Sequence, residues 1–416
     1  MTGSRQVSSL DQPLVHDRFR TWTRAALAAD PLGARTKVAL GSKVAVQTDS
    51  AAVVIAAVLA LDGWAGAVHL LPPGLRTELP PEVVRLDLEL SDRPAGAVVG
   101  LPGSRVETRW VLYTSGTTGL PTSVEHSLAS LTRTVRSTER TRSMVWGLLY
   151  NPTRMAGLQV LLQVLSSGAL LVAPDPAARL SAKVAWMRDR SVTALSATPT
   201  LWRQMLQSGA THGWALTQLT LGGEIADQKV LDALAAEFPG ARVTHVFAST
   251  ETGAAFGVRD GLAGFPASYL EVAPGGIRLR IVEGILQVHS PAASVAGPDG
   301  FASTGDVVEV SGDRVLFRGR SSGIVNVGGS KVWPEDVERL LRTHPHVLDA
   351  VVSARVNAFT GSILVATIVP GPGAPGDLAK TIRAWVKTRA PGHHVPAIVT
   401  AVPALAVSSA GKAERR

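Results

Sequence analysis

The chain has 416 residues, 45% hydrophobic and 18% charged, with a net charge of +8 and no cysteine. That composition supplies buried cores for two or three domains and argues against extensive disorder; the missing cysteines exclude disulfides, thiolate zinc sites and thiol nucleophiles. The positive charge suits an anionic ligand, but Lys and Arg are scattered without a long basic run or basic–aromatic alternation, so nucleic acid is not an expected partner.

The opening MTGSRQVSSLDQP carries no apolar signal core, and a cytoplasmic location is expected. The longest apolar stretch, 51–71, is broken by Asp62, Gly63 and Gly66 and reads as helix plus strand rather than a membrane span. Residues 43–47 form a strand candidate, 50–61 an Ala-rich helix capped by Ser50 or Asp49, and 67–71 a second strand. This βαβ unit implies a parallel sheet with covering helices. The run RSTERTR at 136–142 reads as a solvated helix face. Strands at 169–172 and 192–195 flank a helix at 180–188. A strand at 219–221 ends in Gly222-Gly223-Glu224, and a helix at 228–237 leads to a strand at 242–247. From about Gly275 short strands (277–282, 285–288, 307–310) and the turn Pro298-Asp299-Gly300 predict a small β-rich subdomain. A boundary falls near Gly319 to Gly323. Beyond it an α+β pattern follows: helix 334–342, strands 350–353 and 362–369, helix 377–389.

The apolar Trp110-Val111-Leu112 runs into Tyr113-Thr114-Ser115-Gly116-Thr117-Thr118-Gly119, which holds two glycines and five hydroxyl groups. Glycines let backbone N–H groups approach an anion and hydroxyls add donors, so the loop suits a polyphosphate. Taken alone, it also suits a surface turn. It is not a GxxxxGK[ST] loop, since no Lys follows the second glycine. It closely resembles the TSGTTGxPKG signature of the adenylate-forming superfamily: acyl-CoA ligases, adenylation domains and luciferases.

Five further segments resemble that superfamily in the same order. Phe247-Ala248-Ser249-Thr250-Glu251 resembles YGxTE. The resemblance implies that Thr250 touches the α-phosphate and Glu251 helps hold Mg2+, a hard cation that takes oxygen ligands and keeps substrate phosphates in its shell. Ser303-Thr304-Gly305-Asp306 resembles TGD, with Asp306 on the ribose hydroxyls of ATP; Gly319-Arg320 resembles the GR opening the hinge, with Arg320 adding a ribose or phosphate contact. Gly328-Gly329-Ser330-Lys331-Val332-Trp333-Pro334-Glu335 resembles the GGxKVxPxE loop that swings in for thiol transfer, so Gly328, Gly329 and Lys331 are assigned to the lid and thiol channel. Gly411-Lys412-Ala413-Glu414-Arg415 resembles the terminal GKxxR, although a KAERR end alone also suits a solvated basic tail. Lys412, with Thr250 and Glu251, is the implied catalytic set. Thr114, Ser115, Gly116, Thr117, Thr118, Gly119, Gly223, Glu224, Phe247, Ser249, Asp306 and Arg320 are the implied ATP contacts.

Several departures stand out, Phe247-Ala248 in place of the usual Tyr-Gly among them. The family has Lys after the loop's proline, where this chain has Pro121-Thr122-Ser123. The hinge carboxylate after Gly319-Arg320 is replaced by Ser321-Ser322-Gly323. The stretch before the first motif is short, resembling compact o-succinylbenzoate–CoA ligases. Residues 151–162 resemble the PLxHxAGLQVL stretch of those ligases, with Arg154 in place of His. Arg154 and Gly157 are assigned to the acid pocket, where an Arg fork suits an oxyanion; Arg154 pointing outward is the other reading. The Asp that holds an α-amino group in amino-acid-activating domains is absent from this segment.

The expectation is an α/β fold with a large domain, 1–319, of parallel-rich sheets with covering helices and a β-rich subdomain, followed by a mobile α+β lid, 320–416. The expected activity uses ATP and Mg2+ to adenylate a small acid and passes the acyl group to CoA. A carrier-protein thiol, an amine or water are alternative acceptors, and nitrite is an alternative acid. A non-catalytic nucleotide binder is the reading from another class: the missing loop Lys favours it, and Glu251, Asp306 and Lys412 disfavour it. No membrane partner is expected, and the oligomeric state is not legible.

Overall fold

The structure, a computed structural model, describes residues 11–86, 90, 106–114, 121–250, 253–290, 297–408 and 410–415. The expected βαβ unit forms: strands Lys43–Gln47 and Ala67–Leu71 pair in parallel around the helix Ala51–Leu61, which Ser50 caps through its side chain. Ten of that helix's eleven residues are buried, because it is apolar on every side. Val83–Leu86 and Arg109–Tyr113 extend the sheet in parallel, and Ser123–His126 closes it antiparallel.

A second sheet runs in the order Gly253–Val258, Arg242–Ser249, Gln218–Gly222, Ala194–Ala197, Val145–Leu148, Leu170–Val172, Pro13–His16, Thr21–Thr23. Its centre is parallel and its two ends are antiparallel. Helices Met155–Ser167, Pro199–Gln207 and Gln228–Glu237 supply its crossovers and bury Leu158, Leu161, Trp202 and Leu234. Some limits shift: the strand foreseen at 192–195 begins at Ala194, because Val192 N–H turns back to the Met187 carbonyl of the preceding helix.

The β-rich part is an antiparallel sheet of Phe265–Pro266, Arg314–Arg320, Ala302–Ser311, Ile285–His289 and Arg278–Val282. Arg314–Arg320 ends in the turn Ser321–Gly323. The elements that follow have their own core, with Val337, Leu341, Val352, Ile368 and Ile382 buried between helices Pro334–Arg342 and Leu378–Lys387 and the sheet of Val347–Asn357, Gly361–Pro370 and Ile398–Ala401. Among the described residues no helix is long and apolar enough to cross a membrane.

Candidate active site

A parallel strand hands its C-terminal residue to the sheet edge, where ligands bind in open α/β folds. Tyr150 and Arg154 follow Val145–Leu148, Thr198 follows Ala194–Ala197, Gly223 and Glu224 follow Gln218–Gly222, and Thr250 follows Arg242–Ser249. Thr114 follows Arg109–Tyr113 of the other sheet, and its N–H donates to the Thr122 carbonyl at 2.9 Å. Ser115, Gly116, Thr117, Thr118, Gly119 and Glu251 lie outside the described residues. His126 Nε2 bonds the Thr250 carbonyl at 2.8 Å, tying the strand Ser123–His126 to the end of Arg242–Ser249.

The C-terminal tail reaches this edge. Glu224 is the clasp: Oε2 accepts from Thr200 N–H and Oε1 from Ala413 N–H, each at 3.0 Å. Thr198 caps its helix at Leu201 N–H and donates its hydroxyl to the Gly411 carbonyl. Gly411 has φ +73°, and a Cβ there would sit 2.7 Å from Leu201 Cδ1, so glycine alone fits between tail and helix. Lys412 therefore enters beside Gly223, whose Cβ position is 3.4 Å from Lys412 Cε.

Around Lys412 the charges converge. Asp306 pairs with Arg320 at 3.3 Å across the strands Ala302–Ser311 and Arg314–Arg320. Burial lowers the Lys412 pKa below the ordinary lysine value, with Arg320 and Arg154 adding to the effect and Glu224 and Asp306 opposing it. Lys412 nonetheless keeps an exposed surface in the cleft. Burial raises the Asp306 pKa, against Arg320, the Thr304 hydroxyl and Lys412. Arg154 faces the same region: its Nη1 donates to the Tyr113 carbonyl at 3.3 Å, and its buried Nε has no hydrogen-bond partner among the described residues. A guanidinium with an unsatisfied buried donor beside a lysine is a ready anion receptor. This cationic group with Asp306 among it matches what a polyphosphate and ribose diol require.

Other expected residues take different positions. Gly157 permits close packing, since a Cβ there would lie 2.1 Å from the Asn151 carbonyl oxygen. Phe247 stacks on Phe256 and Phe317 at 5.4 and 5.3 Å, within the aromatic core of the β-rich sheet. Ser249 is half-buried at its strand end. Gly328, Gly329 and Lys331 lie on an exposed hairpin of the C-terminal part. Among the described residues no three His, Asp or Glu side chains gather as a metal site.

Sequence reasoning passed over Tyr150, Thr198, Glu335 and Arg415 as site residues. Tyr150 is buried with its hydroxyl 3.5 Å from the Gly222 carbonyl, and burial raises its pKa. Arg415 pairs with Glu335 and Glu338, each at 2.9 Å, so the Arg of GKxxR anchors the tail on the helix Pro334–Arg342. Its place in that motif was the available signal. Glu335 lies against the hinge, where a Cβ on Gly319 would sit 2.6 Å from its Oε2. A carboxylate from the following helix thus stands beside the expected hinge, which carries none of its own.

Comparison with known proteins identifies the family. The family model described as AMP-binding enzyme matches residues 103–283, and that of the AMP-binding enzyme C-terminal domain matches 336–412. The chain is 28% identical over 308 residues to the fatty acid–[acyl-carrier-protein] ligase ScoC of Streptomyces coeruleorubidus, covering 64% of this chain and 59% of ScoC. Several other curated relatives are covered over only 5 to 21% of their length. Two solved structures share the fold. ATP-bound MatB of Rhodopseudomonas palustris has a TM-score of 0.77 at 18% identity, covering 98% of this chain and 95% of that one. A variant of E. coli MenE with bound OSB-AMS has a TM-score of 0.74 at 20% identity, covering 95% and 92%. The chain belongs to the AMP-binding, adenylate-forming enzyme family.

Proposed function

We propose that this chain adenylates a small acid with ATP and passes the acyl group to a thiol of the pantetheine type, CoA being its simplest bearer. The observation that carries the reading is the convergence of Lys412, Arg320, Arg154, Asp306 and Glu224 at the C-terminal edge of the parallel sheet. The first step must bring a carboxylate against a triphosphate, and fixed cations lower that barrier by offsetting charge on the phosphoryl oxygens. The carboxylate oxygen attacks the α-phosphorus, the bond to the bridging oxygen breaks, and pyrophosphate leaves with that electron pair. Lys412 spans the two anions, Asp306 accepts from the ribose hydroxyls, Arg320 steadies ribose or phosphate, and Thr250 donates to the α-phosphate. Mg2+, held by Glu251 and the phosphates, would neutralise charge on the triphosphate. The thiolate then attacks the acyl carbonyl carbon and AMP leaves. No enzyme nucleophile is needed; positioning and charge neutralisation suffice.

A domain boundary near Arg320 belongs to this proposal, with 320–416 as the lid that exchanges Lys412 for the Gly328–Gly329 hairpin between steps. Arg154, whose buried Nε has no partner among the described residues, favours an acid carrying a second anionic group, or a small oxyanion such as nitrite. The test is ATP–pyrophosphate exchange over a panel of acids, followed by product mass analysis with thiol and amine acceptors. Acid-dependent exchange supports the reading. Nucleotide binding without exchange for any acid would leave a non-catalytic binder.

A further inference from the structure

Two hairpins of the C-terminal part lie tip against tip. The turn Gly328-Gly329 joins strands Val325–Val327 and Ser330–Val332, with φ +58° and +87° at the glycines. Gly328 N–H donates to the Thr360 carbonyl at 3.0 Å, at the end of the longer hairpin Val347–Asn357 and Gly361–Pro370. That longer tip is a built turn: Asn357 Oδ1 accepts from Phe359 N–H at 2.9 Å and Thr360 N–H at 3.1 Å. On it Phe359 is 97% exposed and Val356 88% exposed. Other strongly exposed apolar side chains, such as Phe19 and Val272, stand singly, whereas these two share one hairpin end. The only charged side chains of residues 324–332 and 350–364 are Lys331 and Arg355, both cationic and exposed.

We propose that this double tip is a docking face for an acidic carrier protein that presents the acceptor thiol on a pantetheine arm. The proposal rests on the thiol-transfer reading above and adds the partner. Charge selects the partner's sign: a face of two cations without a carboxylate, on a chain of net charge +8, draws in an acidic surface. Shape selects its class. A projecting aromatic and a projecting valine are covered only by a partner with a groove, and buried aromatic anchors with a charged rim typify protein interfaces. CoA can meet Lys331 and Arg355 with its phosphates but offers no groove for the two side chains. The hydrogen bond from Gly328 to Thr360 makes the docking face travel with the glycine turn, so a partner held there keeps its arm beside the hairpin assigned to the thiol step.

The test uses the full chain and three thiols: pantetheine, CoA and a purified acidic holo acyl-carrier protein. Binding of the fluorescently labelled carrier protein is measured by anisotropy, and thioester formation by mass spectrometry. Phe359→Ser and Val356→Ser should each weaken carrier binding and transfer at least about tenfold, as loss of an apolar anchor does. ATP–pyrophosphate exchange and transfer to pantetheine and CoA should be unchanged. Arg355→Glu should weaken carrier binding, and added salt should do the same to the unsubstituted chain. Carrier binding unaffected by all three substitutions overturns the proposal, as does a carrier used no better than pantetheine. Loss with CoA as large as with the carrier would also overturn it, in favour of nucleotide stacking on Phe359. Failure of exchange with every acid would sink the catalytic reading alone, since the anisotropy arm needs no acid.

Discussion

At the residue scale the sharpest expectation concerns Lys412. If it brings acid and triphosphate together, Lys412→Ala abolishes ATP–pyrophosphate exchange yet spares thioester formation from a pre-made acyl-adenylate. Equal loss of both steps would give the tail another role. The lowered pKa adds a pH signature. The ammonium is lost as pH rises through that lowered value, so exchange should fall on an alkaline limb that begins below the ordinary lysine range and is absent in Lys412→Arg. The stability sign runs the other way. Below its folded pKa the charged lysine is penalised by burial relative to the unfolded chain, so removing it should leave the melting temperature unchanged or raised; a clear drop would mark a folding role. Arg154→Ala probes the acid. Loss of a charge-assisted contact in a partly desolvated pocket costs about 1.5–3 kcal/mol, or roughly ten- to a hundredfold in kcat/KM. Most of it should appear in the KM for the acid, with that for ATP nearly unchanged. An equal rise in both would assign Arg154 to the phosphates below Tyr113, where the loop lacks its lysine.

At the scale of elements the glycine turn carries a clean test. A Cβ on Gly329 would meet no atom within 4 Å, so the obstacle to substitution is φ +87° together with whatever the turn must enter. Gly329→Leu should therefore slow thioester formation far more than ATP–pyrophosphate exchange. Equal slowing would refute two lid positions. Elements also differ in how openly the sequence displays them. Helices Gln228–Glu237 and Pro334–Arg342 have the limits read from residue pattern, the first capped by Asp227 and the second opened by Pro334 with Glu335 and Asp336 in its first turn. Helix Met155–Ser167 went unread because its N-cap is Arg154, which makes no side-chain cap. Helix Pro199–Gln207 had its signals, the Thr198 cap and a proline at its start, but no polar stretch announced it after a buried strand. The hairpin of Val347–Asn357 and Gly361–Pro370 is longer than expected at both strands. Its outer residues, Arg355 to Thr360, leave the core, so apolar alternation stops marking them. At the site, the motif residues expected to touch ligand stand out in the sequence, whereas Glu224's clasp on Thr200 and Ala413, and Glu335 against Gly319, join residues of different elements and needed the fold.

At the scale of the whole molecule, a buried charge network fastens the C-terminal part onto the rest. Asp227, which caps the helix Gln228–Glu237, accepts from Arg203 at 2.7 Å and from Arg342 at 3.2 Å. Arg342 also donates to Asp349 at 2.8 Å and to the Ala350 carbonyl at 2.7 Å, while Lys229 donates to the Val347 carbonyl at 3.1 Å. Burial opposes ionisation of Asp227, but Arg203 and Arg342 hold its pKa below the usual value. Its stabilising contribution is thus present above the unfolded pKa and lost as pH falls through the folded one. The arrangement so fastened is the one that places Lys412 beside Gly223; if Lys412 serves adenylation as proposed, the network acts as a latch for that step. Arg342→Met removes the guanidinium shared by both parts and leaves Asp349, which is 1% exposed, with the Ala350 N–H at 2.8 Å and, as its ion pair among the described residues, Arg203 at 4.0 Å. Breaking a buried pair from one side costs about 3–5 kcal/mol. Because Arg342 belongs to the C-terminal part and Asp227 to the other, much of that loss should fall on closure. ATP–pyrophosphate exchange should drop at least tenfold, cleavage by a protease at 321–323 should rise, and thioester formation from a pre-made adenylate should hold steady or quicken. If exchange survives and only the melting temperature falls, the network is scaffolding within the C-terminal part and the latch is elsewhere, with the Glu224 clasp on Ala413 the next contact to break.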